Sequence, residues 1–91
     1  MAATKDDIRL WLNSENTPMG NEKEDCTHML VVCDTFDYDV YPVFVTKDQN
    51  VGKVIAEHDG KNMQTVMEVY SFSQKYTVEG QLDEHRAWHI D

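Results

Sequence analysis

The feature that most constrains the fold is THMLVVC (27–33), a continuous apolar run that polar residues close on both sides. Such a run is typical of a strand that is buried on both faces of a sheet. The alternating run VYPVFV (40–45) follows after six residues and predicts a second strand. Pro42 cannot donate a ladder hydrogen bond, so its position indicates an edge or the beginning of that strand. We therefore predict a hairpin whose loop spans residues 34–39.

Helical spacing appears on both sides of this hairpin. Apolar residues at i, i+3 and i+4 predict a helix over 5–13, which Thr4 opens with a pattern similar to a capping box. The same spacing predicts a helix over 48–58, with Asp48 as its N-cap and Gly60 as its stop.

The last third of the chain contributes one more strand and one more helix. Residues 62–72 are rich in β-branched and aromatic side chains and predict a strand, although their spacing also allows a helix. Residues 76–90 return to helical spacing. The order α-β-β-α-β-α indicates an α+β (or α/β) fold, with a small three-stranded, mixed sheet and helices packed on it. The crossover through helix 48–58 would make the second and third strands parallel if they are neighbours.

The length of 91 residues is that of a single domain over 1–91. Residues 14–26 are acidic, almost without apolar side chains, and predict a long flexible loop. Cys26 and Cys33 lie about 23 Å apart in an extended strand, too far for a disulfide bond. The N-terminus lacks the pattern of a signal peptide and no apolar run could span a membrane, so we expect a soluble, cytoplasmic protein with no membrane partner.

The charge bears on partners rather than on the fold. Seventeen acidic and eight basic residues give a net charge of −9, and the basic residues form no stripe. Direct binding to nucleic acid is therefore not expected, because phosphate contacts need clustered Lys and Arg. The acidity fits ordinary solubility, docking to a basic partner, or mimicry of a nucleic-acid backbone.

No motif predicts a cofactor or a metal. His85 and His89 are spaced i, i+4 on the predicted C-terminal helix and are weak metal candidates, since no further ligands follow at a fixed spacing. The three aspartates of the loop, Asp34, Asp37 and Asp39, fit a calcium loop poorly because no glycine follows and a strand begins at once.

Catalysis has no signature in this chain, which favours a protein that is not an enzyme: phosphate-binding loops and Ser or Cys nucleophile motifs are absent from the sequence. An alternative is a small-ligand protein that binds or hydrolyses a nucleotide-type molecule at the strand ends. Its site would gather five residues, namely Asp34, Asp37, Glu68, Tyr70 and His85.

Recognition of a partner is the other interpretation of the hairpin loop. Phe36, Tyr38 and Tyr41 alternate with the three aspartates, so rigid aromatic anchors would stand inside an acidic rim. The recognition loop would comprise Asp34, Phe36, Asp37, Tyr38, Asp39 and Tyr41. The plainer alternative is that these aspartates only solvate a turn.

Three segments resemble small uncharacterised proteins encoded by tailed bacteriophages: HMLVVCDTFDYDVYPVFV, DGKNMQTVMEVYSF and QLDEHRAWH. The similarity covers residues 28–91. In those proteins an acid precedes the Tyr-Pro pair, whereas Val40 stands here, so a ligand role for that carboxylate does not carry over.

The resemblance implies a context rather than a reaction. It implies a short, acidic phage accessory protein in the host cytoplasm, of a kind that binds and redirects or blocks a host protein, including defence systems. Together with the net charge of −9, the aromatic and acidic loop and the lack of catalytic motifs, it predicts a non-enzymatic protein that binds a host protein with a basic surface and modulates or inhibits it, in host takeover or anti-defence. A self-assembling structural protein is a further alternative, and a homodimer is left open.

Overall fold

A computed structural model describes residues 4–13, 25–61, 63–73, 75–84 and 86–90. Along the chain the elements are α1 (Lys5–Asn13), β1 (Cys26–Asp34), β2 (Val40–Thr46), α2 (Val51–His58), β3 (Gln64–Ser71) and α3 (Val78–Leu82). The predicted order α-β-β-α-β-α and the α+β class are thus confirmed, and the segment around 62–72 is a strand rather than a helix. Of the predicted loop over 14–26, residues 14–24 lie outside the described residues, and Cys26 already begins β1.

The sheet has the order β2-β1-β3, and both pairings are antiparallel. The predicted mixed arrangement of these strands is wrong, because β1 lies between the two strands that α2 connects. β2 is an edge strand among the described elements, in agreement with the position of Pro42. One isolated parallel bridge joins Val69 of β3 to Trp88.

The central strand β1 is buried on both faces and so confirms the interpretation of its continuous apolar run. Met29 and Val31 point to a core beneath α1 and α3, and Leu30 and Val32 point to a core beneath α2. We call these the α1/α3 face and the α2 face of the sheet. Burying each such side chain stabilises the fold by about 1.5–3 kcal/mol.

The N-cap of helix α2 lies two residues later than predicted, and the helix itself begins at Val51. Asn50 is its N-cap, and its side chain accepts a hydrogen bond from the Lys53 N–H at 3.2 Å. The predicted cap, Asp48, instead accepts a hydrogen bond from the Thr46 hydroxyl, which lowers the pKa of its carboxyl. Gly60 adopts a φ of 77° just past the helix, as expected for a residue at a helix stop.

The predicted C-terminal helix over 76–90 is wrong beyond Leu82, where α3 ends. Residues 87–89 run along the outer edge of β3 instead. The Val69 N–H donates to the Ala87 carbonyl at 2.9 Å, and the His89 N–H donates to the Val69 carbonyl at 3.1 Å. These bonds satisfy the backbone N–H and carbonyl of Val69 at the edge of the sheet. If the segment continued as a helix, it could not pair with these two groups.

Candidate functional site

The hairpin loop uses two of its aspartates to hold its own backbone. The Asp34 carboxylate accepts a hydrogen bond from the Phe36 N–H at 2.8 Å, and the Asp34 carbonyl accepts one from the Tyr38 N–H at 2.7 Å. The Asp37 carboxylate accepts a hydrogen bond from the Asp39 N–H at 3.1 Å. Both carboxylates form Asx turns, so they shape the loop as well as carrying charge.

The aromatic residues of the loop divide between solvent and core. Phe36 is 74% exposed and Tyr38 is 68% exposed. Tyr41 is half-buried and packs against the core of the α2 face. Its burial, together with the negative charges of Asp34 and Asp37, raises the pKa of its phenol. Only Phe36 and Tyr38 of the three predicted anchors therefore point outward.

Backbone strain concentrates at this end of the sheet. Among the residues that the structure describes, Tyr38 (φ 62°) and Met63 (φ 61°) are the non-glycine residues with a positive φ. The Thr35 N–H and hydroxyl both donate to the Met63 carbonyl, at 2.6 and 2.8 Å, and so tie the hairpin loop to the turn before β3. A left-handed conformation costs such residues about 1–2 kcal/mol.

The exposed apolar side chains at this end are Phe36, Tyr38 and Met63, which we call the apolar tip. Met63 is 61% exposed and was not among the predicted recognition residues. The residues around Met63 predict only the beginning of a strand. Met63 lies beside the hairpin loop because β3 pairs with β1. The exposed carboxylates of Asp37 and Asp39 lie in the same loop.

A second candidate site, which is concave, lies on the α1/α3 face, between α1, β3 and residues after α3. It is an open cleft of about 480 Å³. The described residues that line it are Lys5, Ile8, Thr65, Val66, Met67, Glu68, Tyr70, Leu82, Glu84 and Arg86.

Tyr70 and Glu68 form the polar centre of this cleft. Tyr70 is only 1% exposed, and its phenol is hydrogen-bonded to the Glu68 carboxylate. Burial raises the pKa of this phenol, and the charges of Glu68 and Glu84 raise it further. The Glu68 carboxylate also accepts a hydrogen bond from the Ala87 N–H at 3.1 Å.

The structure separates the five residues of the predicted small-ligand site. Glu68 and Tyr70 line the cleft on the α1/α3 face, whereas Asp34 and Asp37 act on Tyr41 on the α2 face. His85 lies outside the described residues. The cleft residues that sequence reasoning missed, such as Lys5 and Arg86, come from opposite ends of the chain and share no spacing.

The described part of the chain contains no group of three His, Cys, Asp or Glu side chains arranged to hold a metal ion. The predicted histidine pair on one helix face is wrong because His89 lies in the extended segment beside β3. Its Nε2 lies 2.8 Å from a Glu84 carboxylate oxygen, and its ring packs on Tyr76 with centroids 4.2 Å apart. Cys26 and Cys33 lie in the same strand, β1, and no disulfide joins them, as their spacing along an extended strand predicts.

No protein-family model, curated protein or solved structure matches this chain significantly. Within the described ranges, none of the helices has the length and apolar character that crossing a bilayer requires.

Proposed function

We propose that this protein is a non-enzymatic binding module that docks through the apolar tip and the carboxylates around it. The observation that carries this proposal is the coincidence of strain and exposure at Tyr38 and Met63. A left-handed backbone lowers stability, and an exposed apolar side chain gains little in the isolated fold. Strain of this kind concentrates at binding and switch sites, where a partner supplies the missing burial.

The charge around the apolar tip favours a basic partner. Asp37 and Asp39 stand beside the exposed aromatics, and the whole chain carries a net charge of −9. Such a field accelerates the encounter with a positively charged surface and disfavours direct binding to nucleic acid. Aromatic anchors inside an acidic rim would then provide the short-range contact.

The resemblance to tailed-phage proteins gives this proposal its biological setting. The partner would be a host protein with a basic surface, met in the cytoplasm of an infected bacterium. Binding would modulate or inhibit that host protein, as in host takeover or anti-defence.

Affinity capture from host lysate, at low and at physiological salt, tests the proposal. We expect the wild-type protein to retain one dominant host protein, and a Phe36→Ser/Met63→Ser variant to lose it. Leu10→Ser is the matched control, because Leu10 is 70% exposed on α1 and outside the apolar tip. No retained protein, or equal retention by the tip variant, would contradict the proposal.

The aspartates need a separate variant, because two of them hold the loop backbone. Asp37→Asn/Asp39→Asn removes two charges while the Asn side chain at position 37 still accepts the hydrogen bond from residue 39. We expect weaker capture that depends less on salt, with the fold unchanged by circular dichroism. Unchanged salt dependence would remove the charge argument and leave only the apolar contact.

A further inference from the structure

The cleft on the α1/α3 face has an apolar wall. Ile8 of α1, Leu82 of α3 and Met67 of β3 contribute to this wall. Met67 is the extra residue of a β-bulge, since Val31 pairs with Glu68 while Val32 pairs with Val66. Bulges of this kind redirect side chains and are over-represented next to functional sites.

Two carboxylates, Glu68 and Glu84, line the cleft, and the first is hydrogen-bonded to the buried phenol of Tyr70. Glu68 is oriented by the phenol and by the Ala87 N–H, and Glu84 is held by His89. A carboxylate offers about four lone-pair positions. Both Glu68 and Glu84 therefore keep acceptor capacity towards the cleft.

Two cationic groups line the same cleft. Lys5 makes no ion pair with any residue in the described part of the chain. Arg86 donates from Nε to the Met67 carbonyl at 2.9 Å and stacks its guanidinium over the Trp88 ring at 4.3 Å. A guanidinium has five N–H donors in a fixed fork, so its position is held while further donors remain available.

The cleft thus places two carboxylates and two cations around one apolar wall. A ligand with a single charge would pair with the groups of one sign and cover the groups of the other sign without replacing their water. A ligand with an ammonium and a carboxylate on one carbon would satisfy both. We infer that this cleft binds a small zwitterion, namely a free α-amino acid with an apolar side chain. The ammonium group faces Glu68 and Glu84, the carboxylate faces Lys5 and Arg86, and the side chain lies on Ile8 and Leu82.

This inference does not depend on the proposed function. The apolar tip and the cleft share no residue, and a protein with an inactive tip would still bind the amino acid.

A titration of ¹⁵N-labelled protein, followed by amide chemical shifts, tests the inference. The probes are L-leucine, L-methionine and L-phenylalanine, each compared with its N-acetyl and its amide derivative. We expect at least one free amino acid to shift the amides of Glu68, Tyr70 and Arg86 saturably. Each singly charged derivative should bind at least about tenfold more weakly, because it leaves one charged pair unsatisfied.

Charge-neutral variants complete the test. Glu84→Gln is expected to weaken binding of the free amino acid about tenfold or more, and Glu68→Gln should do the same if it remains folded. Glu57→Gln, at an exposed position of α2, is the matched control and should bind like the wild type. Absence of saturable shifts, equal binding of a derivative, or wild-type binding by a folded Glu84→Gln protein would overturn the inference. A nucleotide that shifts the cleft amides in place of the amino acids would also overturn it.

Discussion

Gln81 holds both backbone groups of Ser71 with its side-chain amide. Its Oε1 accepts a hydrogen bond from the Ser71 N–H at 2.8 Å, and its Nε2 donates to the Ser71 carbonyl at 3.0 Å. Both residues are buried. The amide therefore takes the place of a neighbouring strand at the end of β3, while Ala87 and His89 cover the same edge at Val69.

Gln81→Met should destabilise the protein by about 2–4 kcal/mol, because it keeps the side-chain length and leaves two buried backbone groups unpaired. Urea unfolding measures the free energy of unfolding. Gln49→Met is the control: its side chain accepts a hydrogen bond from the Thr46 N–H at an exposed position, so the loss should stay below about 1 kcal/mol. Equal losses in the two variants would contradict the strand-like role of Gln81.

Met63→Asn should raise the free energy of unfolding by roughly 0.5–1 kcal/mol. Asn tolerates the left-handed region in which the Met63 backbone lies better than methionine does. Met67→Asn is the matched control, because Met67 is an exposed methionine without a positive φ. Thermal or urea unfolding compares the two variants. A Met63→Asn protein no more stable than the control would show that position 63 carries no strain.

Stability should fall as the pH rises above 10, the ordinary pKa of tyrosine, because burial and Glu68 raise the pKa of Tyr70. In that range the unfolded chain releases the phenol proton and the folded chain keeps it, so a higher pH favours unfolding. The stabilisation that comes from this pKa difference is fully present below pH 10. Above pH 10 the free energy of unfolding falls by at most about 1.4 kcal/mol per pH unit. Tyr70→Phe should give a shallower alkaline decline in urea unfolding. An equal alkaline loss of stability in the Tyr70→Phe and wild-type proteins would contradict a raised pKa of Tyr70.

The ion pair between α1 and α3 should act only above acidic pH. The Arg9 guanidinium donates from Nε to Glu79 at 2.7 Å, and this hydrogen bond lowers the pKa of Glu79 from its ordinary value of 4.5. Its stabilisation is present above pH 4.5 and disappears as the pH falls through the lowered value. Glu79→Gln should therefore destabilise the protein more at pH 7 than at pH 3, whereas Glu57→Gln should show no such difference. The result that would refute this is a Glu79→Gln effect independent of pH.

Alkylation should reach Cys33 before Cys26 in the folded protein. Cys26 is buried, and its burial raises the pKa of its thiol. The negative charge of Asp25 raises this pKa further. Cys33 is only half-buried. Iodoacetamide followed by peptide mass spectrometry gives the order, and both thiols should react alike in urea. Faster reaction at Cys26 would show that the first residue of β1 opens to solvent.

The parts of the fold that local sequence determines were predictable. The apolar run 27–33 indicated a strand buried on both faces, and the structure covers its two faces with α1/α3 and α2. The strand order was not predictable, because hydrophobic patterns do not state which strands are neighbours. Residues 83–84 and 86–90 also departed from prediction, since helical spacing competes there with the open edge of β3.

The candidate site was predictable only in part, for the same reason. Phe36 and Tyr38 were predicted as exposed anchors from the residues of a single loop. Met63 joins them through a hydrogen bond to Thr35, 28 residues away. The cleft draws Lys5, Glu68 and Arg86 from three distant segments, and only the folded chain brings them together.

The burial of β1 on both faces also has a consequence for how uniquely the sheet is aligned. Met29 and Val31 point to one core, and Leu30 and Val32 point to the other. A slip of one residue along the neighbouring strands would exchange these pairs between the two cores, and all four side chains are apolar, so water exclusion at these four positions does not reject it. The alignment must come from shape: Met29 stands opposite Phe44 and Tyr70, while Leu30 stands opposite Val43 and Val69. At these central positions, side-chain volume rather than polarity distinguishes the native register.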